Sequence, residues 1–258
     1  MNAPLWAAGR YESVAERIAA IADRTVDAAD RRRPLSGSAV VDLACGTGSA
    51  ALAAAARGAS VTGVDLTAEL IRIGEEKASH SGRAVSWVTA DAAHTGLPDG
   101  SFDAAVSNMG IIFVEPEAQV AEIHRLLKPR GILAFSSWIK AGNNPFFDPI
   151  VAVLGAPPSK GFSPDQWGEK AVVTSRLSAG FTGVEVDEGT FTWEFTSLEG
   201  ALHFLEHESP MHVDLFRRID ETQRARLQAA FRDALTPHTD DAGVRFDTPY
   251  VLVTAIRR

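Results

Sequence analysis

Short apolar runs alternate with longer stretches of helical spacing through the first half of the chain. Val40-Val41-Asp42-Leu43, Ser60-Val61-Thr62-Gly63-Val64-Asp65, Val85-Ser86-Trp87-Val88-Thr89, Phe102-Asp103-Ala104-Ala105-Val106-Ser107 and Ile132-Leu133-Ala134-Phe135-Ser136-Ser137-Trp138 read as strands. The Ala-rich run from Ala50 to Ala56, closed by Gly58, reads as a helix packed close to a sheet. Thr67 to Ser79 places Leu70, Ile71 and Glu75 on or near one flank, with Thr67 as the expected cap and Gly82 just beyond the end. Glu115 to Lys128 carries Val120, Ile123 and Leu127 at helical spacing and should stop at Pro129 and Gly131. Tyr11 to about Ala28 predicts an amphipathic helix ahead of the first strand, with Val14, Ile18, Ile21 and Val26 on its apolar side. Strand and helix in regular alternation predict an α/β, doubly wound fold.

The second half is less regular. The stretch 143–162 is rich in Pro, Gly and Phe and predicts a short helix and loops over the crevice; Glu169 to Ala179 predicts another helix. Gly183 to Phe195 alternates as one strand or a bent pair, and Tyr250 to Ile256 is a closing strand with Pro249 at its start. Between them, Ser197 caps a helical segment that runs to about Leu235 and is interrupted at Pro210. Arg31-Arg32-Arg33 before Pro34 reads as a solvated loop between helix and strand. The resulting expectation is one domain over 1–258, with a cap helix at about 6–30, a core at about 38–196 and 248–258, and an inserted helical lid at about 197–245.

Composition narrows the function. A formal net charge of -8 argues against a nucleic-acid partner or an anionic membrane surface and in favour of a small-molecule substrate. One cysteine excludes an intrachain disulfide and a multi-cysteine zinc site. The N-terminus Met-Asn-Ala-Pro lacks the features of a secretory signal, and no apolar run approaches the ~20 residues of a spanning helix, so a cytoplasmic location is expected. Nothing in the chain fixes an oligomeric state.

The chemistry centres on Asp42-Leu43-Ala44-Cys45-Gly46-Thr47-Gly48. Gly46 and Gly48 allow a sharp turn and a close ligand approach, and Asp65 ends the next strand where doubly wound folds hold ribose. A phosphate-binding loop would carry Gly-Lys-Ser/Thr, a dinucleotide loop would have a third small position opening the helix, and Asp42 would repel a pyrophosphate. A cationic nucleoside cofactor fits better. Asp91 follows the third strand, facing the same crevice or capping a turn.

These residues resemble the class I methyltransferases that use S-adenosylmethionine (SAM), whose first motif is acid-x-Gly-x-Gly-x-Gly, with Ala44 here in the first glycine position. The likeness continues through Asp65, Asp91, Leu97-Pro98-Asp99-Gly100-Ser101-Phe102-Asp103 and Leu126-Leu127-Lys128-Pro129-Arg130-Gly131, where Arg130 replaces the usual glycine, and covers the chain to about Trp138. The resemblance implies a seven-stranded Rossmann-like sheet whose last strand runs antiparallel between the fifth and sixth. It implies SAM as cofactor, S-adenosylhomocysteine (SAH) as product, and a small metabolite or natural product as acceptor, as in the quinone- and natural-product-modifying branch. The cofactor residues it implies are Tyr11 at the methionine end, Asp42, Ala44, Cys45, Gly46 and Gly48 around the turn, Asp65 and Leu66 at ribose, Asp91 and Ala92 at adenine, and Asn108 and Met109 beside the sulfonium.

Phe113 and Trp138, both after strand ends, are expected in an apolar acceptor pocket. Methyl transfer needs a base only where the acceptor must lose a proton, and the candidate is His203 in the inserted segment, with His207 lining the pocket. The two are four apart on one helix face but lack a third ligand, so no metal is expected; each has an ordinary reading as a surface or packed histidine. Two rivals share the same turn: an NAD-dependent oxidoreductase and a SAM-binding module without transfer activity.

Overall fold

Neighbouring residues of the central strands belong to different cores. In the computed structural model, which describes residues 3–156 and 161–258, Val40, Ala104, Val106, Ile132 and Ala134 share one buried cluster while Val41, Leu43, Ala105, Leu133 and Phe135 share the other. That is the period of two expected of strands covered on both faces. The first face is built of small side chains, and Ala50, Ala51, Ala53 and Ala54 of the helix Ser49–Ala56 pack there beside Ala22, Val26 and Ala29 of the helix Ala19–Arg32.

The strands are β1 (Ala39–Leu43), β2 (Ser60–Asp65), β3 (Val85–Thr89), β4 (Phe102–Asn108), β5 (Leu127–Trp138), β6 (Phe181–Phe195), β7 (Thr239–Asp240) and β8 (Gly243–Arg257). They form one sheet in the order β3-β2-β1-β4-β5-β8-β6, with the short β7 paired to β8. β1 to β5 pair in parallel, and β8 runs antiparallel between β5 and β6. This is the doubly wound sheet with an antiparallel last strand that the resemblance implied.

β6 and β8 outrun their neighbour. β5 stops at Trp138 opposite Tyr250, whereas β6 and β8 stay paired to Phe195 and Val244. The excess is a two-stranded ribbon past the carboxyl end of β5, carrying Phe191, Trp193, Phe195 and Phe246, and the helices between 198 and 235 leave from its tip. Pro249 therefore lies inside β8, not at its start. Ile139 N–H donates to Pro249 O (3.0 Å), so the missing proline N–H faces the same side, where β5 has already ended.

Four other expectations are corrected. The N-terminal helix is two, Tyr11–Arg17 and Ala19–Arg32, broken at Ile18 (φ -91°, ψ 9°), which lets the first segment lie over the turn after β1 while the second packs on the sheet. Arg31 and Arg32 end that helix instead of forming a solvated loop, and Arg32 pairs with Glu185 and donates to Gly183 O (2.8 Å). The helix Pro116–Leu126 stops one residue before Leu127, which is already extended and paired with Phe102; Arg130 adopts the left-handed backbone (φ 64°) in place of the family's glycine. Thr67 makes no side-chain cap to the helix Ala68–His80. Its N–H is instead taken by Asp65.

The inserted segment is capped by Ser197, whose side chain accepts from Gly200 N–H, and is interrupted at Pro210 as expected. A π-turn over Phe204–Glu208 precedes that break, and a second break at Asp220 starts the helix Glu221–Leu235 with a capping box. The stretch 143–162 supplies the short helix Asp148–Leu154; its part at 157–160 lies outside the described residues.

Candidate cofactor and acceptor site

The turn after β1 is built of left-handed residues. Ala44, Gly46 and Gly48 have φ of 51°, 56° and 83°, a conformation that is strained for alanine and free for glycine. The two glycines also make room. A Cβ on Gly46 would overlap the Tyr11 hydroxyl, and one on Gly48 would overlap the Trp87 ring, which lies against Gly48, Gly63 and Gly74. Opposite, Met109 at the end of β4 is also left-handed (φ 56°), and a Cβ on Gly110 would overlap Ala44 O. Two buried serines hold this second turn. Ser107 Oγ donates to Leu43 O (2.7 Å) and accepts from Ile111 N–H (3.1 Å), while Ser136 Oγ accepts from Met109 N–H (3.0 Å) and donates to Asn108 Oδ1 (2.8 Å).

Two carboxylates are buried here. Asp42 Oδ2 accepts from Ala51 N–H (2.8 Å) in the first turn of the following helix, and Oδ1 has no partner. Burial pushes its carboxyl up to about 8, with the charge of Asp65 adding to the effect and the Ala51 N–H opposing it. Asp65 takes Gly46 N–H on Oδ2 and Thr67 N–H on Oδ1 (both 2.8 Å); burial raises its pKa as well, against those two N–H groups. No described ion pair reaches either acid. Burial, followed by these same charges, drives the Tyr11 phenol and the Cys45 thiol upward, so both stay protonated.

The segment around Tyr11 is clasped over the turn. Thr47 Oγ1 donates to Glu12, whose Oε2 lies 3.0 Å from Lys77 Nζ, tying the first helix to the turn and to the helix Ala68–His80. Arg10 N–H donates to Glu208 O (2.8 Å) on the π-turn, and Trp6 packs edge-on against Phe113 (4.8 Å) and Tyr11 (6.4 Å). Neither Glu12 nor Lys77 announces itself in the sequence, because the bonds join elements 65 residues apart. Ser107 and Ser136 had a signal: each is a hydroxyl near the carboxyl end of an otherwise apolar strand.

The family described as "Methyltransferase domain" matches residues 41–135. Aklanonic acid methyltransferase DauC of Streptomyces sp. (strain C5) is 31% identical over 151 residues, which is 56% of this chain and 68% of that protein. The chain belongs to the class I SAM-dependent methyltransferases. Over nearly its whole length the domain is also similar to "Uncharacterized protein Rv1405c" of Mycobacterium tuberculosis (strain ATCC 25618 / H37Rv), at 28% identity over 264 residues, 98% of this chain and 93% of that one. Among solved structures, geranyl diphosphate methyltransferase in complex with SAM superposes with a TM-score of 0.54 at 18% identity, covering 93% of this chain and 85% of that one, and supports the fold alone.

Around this methyltransferase turn, the structure gathers Tyr11, Asp42, Ala44, Cys45, Gly46, Gly48 and Asp65, with Leu66 half-buried next in the chain. Asn108 and Met109 close the opposite side, and Phe113 stands with Trp6 beyond them. Asp91 is exposed and its Oδ1 accepts from Ala93 N–H (2.9 Å), so it does cap a turn; Ala92 beside it is buried. Trp138 packs among Phe191, Trp193 and Tyr250 at the foot of the ribbon.

His203 and His207 are not brought to the turn. Their rings sit 4.7 Å apart on an open pocket lined by Glu199, Leu202, Glu206, Gln228, Ala229 and Arg232, and the His203 side chain is 62% exposed. The helical spacing brings the two rings together, but the face they share is set by packing against the helix Glu221–Leu235. Among the described residues no group of three or more His, Cys, Asp or Glu is placed to hold a metal ion. No described helix is long and apolar enough to cross a membrane.

The site's charge tests the cofactor. An orphaned oxygen on a fully buried carboxylate, with a second carboxylate beside it and no cation, suits a ligand that brings positive charge and would repel a pyrophosphate. SAM fits that description and NAD does not.

Proposed function

We propose that the protein transfers a methyl group from SAM to a small apolar acceptor and releases SAH. The observation that carries this reading is the Asp42–Asp65 pair, buried and without a cation around a glycine turn. SAM supplies a methyl group on a positively charged sulfur, an electrophile that needs no further activation.

The chain's own residues then have separable tasks. Asp42, with Ala44, Cys45, Gly46 and Gly48, offers the negative, tightly turned end where the ammonium of the amino-acid moiety is held, and Tyr11 covers it. Asp65 and Leu66 take the ribose, Asp91 and Ala92 the adenine. The strained backbone at Ala44 and Met109 is fixed by Ser107 and Ser136, so the two walls beside the sulfur keep their spacing. Trp6 and Phe113 offer an apolar wall to the acceptor, consistent with the small molecule for which DauC is named. Because His203 and His207 stand away from the turn, the work assigned to the protein is alignment and exclusion of water, not acid–base chemistry.

The test is a mass-spectrometric screen of bacterial metabolite fractions with the protein and SAM. The expected result is a product heavier by one methyl substitution, formed with SAH in equal amount. SAH binding with no methylated product in any fraction would favour the non-catalytic module instead.

A further inference from the structure

One helix holds the segment that follows β3. Residues 91–101 contain little beyond the turn closed by His94 N–H on Asp91 O (2.9 Å), yet their polar groups converge on Pro116–Leu126. Gln119 Nε2 donates to Ala92 O (3.1 Å). Glu122 Oε1 accepts from Thr95 N–H and Oγ1 (2.9 and 2.6 Å), and Arg125 joins Glu122 Oε2 (2.8 Å) to Leu97 O (2.7 Å). Against the raising effect of burial, the bonds from Arg125 and Thr95 hold the Glu122 carboxyl down at about 2, so this grip persists over the working pH range.

Gln119 is the informative member. It is fully buried, and its Oε1 has no partner. A buried orphan acceptor is a cost to the fold that an apolar side chain of the same size would not carry. What the amide supplies, and an apolar chain could not, is a hold on the carbonyl of Ala92, next to Asp91.

We propose that Gln119 and Glu122 are positioning residues that fix the Asp91–Thr95 turn in the geometry with which this chain tells an adenine amino group from the oxo group of hypoxanthine. The inference rests on the adenine role given to Asp91 above. An ionised carboxylate only accepts hydrogen bonds, so it welcomes the amino group and opposes the oxo group. The preference between the two bases therefore reads out where Asp91 is held, independently of any transfer reaction.

The experiment measures the affinities of SAH and S-inosylhomocysteine, together with melting temperature, for the wild type, Gln119→Met and Glu122→Gln. The wild type should prefer SAH by at least about 10-fold, the scale of one hydrogen bond to a charged group. Gln119→Met exchanges the orphan amide oxygen for an unpaired Ala92 carbonyl, so the melting temperature should change little, while the preference drops below about 3-fold through weaker SAH binding. Glu122→Gln should lose preference and melting temperature together. A wild type that binds no SAH overturns the cofactor assignment and this inference with it. A wild type that binds SAH without preferring it removes the adenine role of Asp91 and this inference with it, whereas a Gln119→Met variant that keeps the full preference overturns this inference alone.

Discussion

Asp42→Asn should flatten the pH dependence of stability and weaken SAM binding at the same time. The folded carboxyl lies at about 8 against 3.8 for the free group, so the native state holds a proton that the unfolded chain releases. The stability this contributes is complete below about pH 4 and is lost as pH rises toward about 8. Cofactor-free wild type should melt progressively lower across that window, and Asp42→Asn should lack this component. Asparagine keeps an oxygen for the Ala51 N–H, so the helix it caps stays in place. SAM and SAH affinity should both fall about 10- to 100-fold, the size of a charge-assisted contact in a buried site, because the two share the ammonium group that Asp42 faces. Melting curves and calorimetry check both halves. Parallel pH slopes in the two proteins would show that Asp42 carries its charge without cost.

Asp65→Asn should behave differently although both acids share one turn. Each oxygen of Asp65 already takes a backbone N–H, from Gly46 and from Thr67. An amide can accept only one of them and turns a donor toward the other. The turn itself should therefore loosen, costing about 1–3 kcal/mol in the cofactor-free protein, and SAH affinity should fall about 100-fold or more as the ribose also loses its acceptor. The expected pattern is stability lost at Asp65 but not at Asp42. Unchanged SAH affinity in Asp65→Asn would remove this residue from the site.

The turn and its acids were legible because local sequence decides them. A buried acid at the end of a β-branched strand, two glycines and an alanine helix leave few conformations, and Asp42, Asp65 and Asp91 fall at equivalent ends of parallel strands. The inserted segment was legible as helix but not as orientation. His203 and His207 share a face by spacing, yet the π-turn at Phe204–Glu208 and the helix Glu221–Leu235 decide that this face looks outward. The Glu12–Thr47–Lys77 clasp and the Gln119–Ala92 bond are long-range pairings of common polar residues, and no pattern in one sequence singles out such partners. Trp138 ends a strand, which the sequence shows; that it meets Tyr250 and Phe191 follows from the overhang of β6 and β8 past that strand, which the sequence does not show.

The central claim is that the acidic glycine turn accepts a cationic adenosyl cofactor. Calorimetric titration of the cofactor-free protein with SAM, SAH and NAD near neutral pH tests it most directly. SAM and SAH should each saturate a single site, NAD should give no binding heat, and SAM binding should release protons, because a positive charge drives the raised Asp42 carboxyl to ionise. Saturable binding of NAD, or no binding of SAM, would contradict the account.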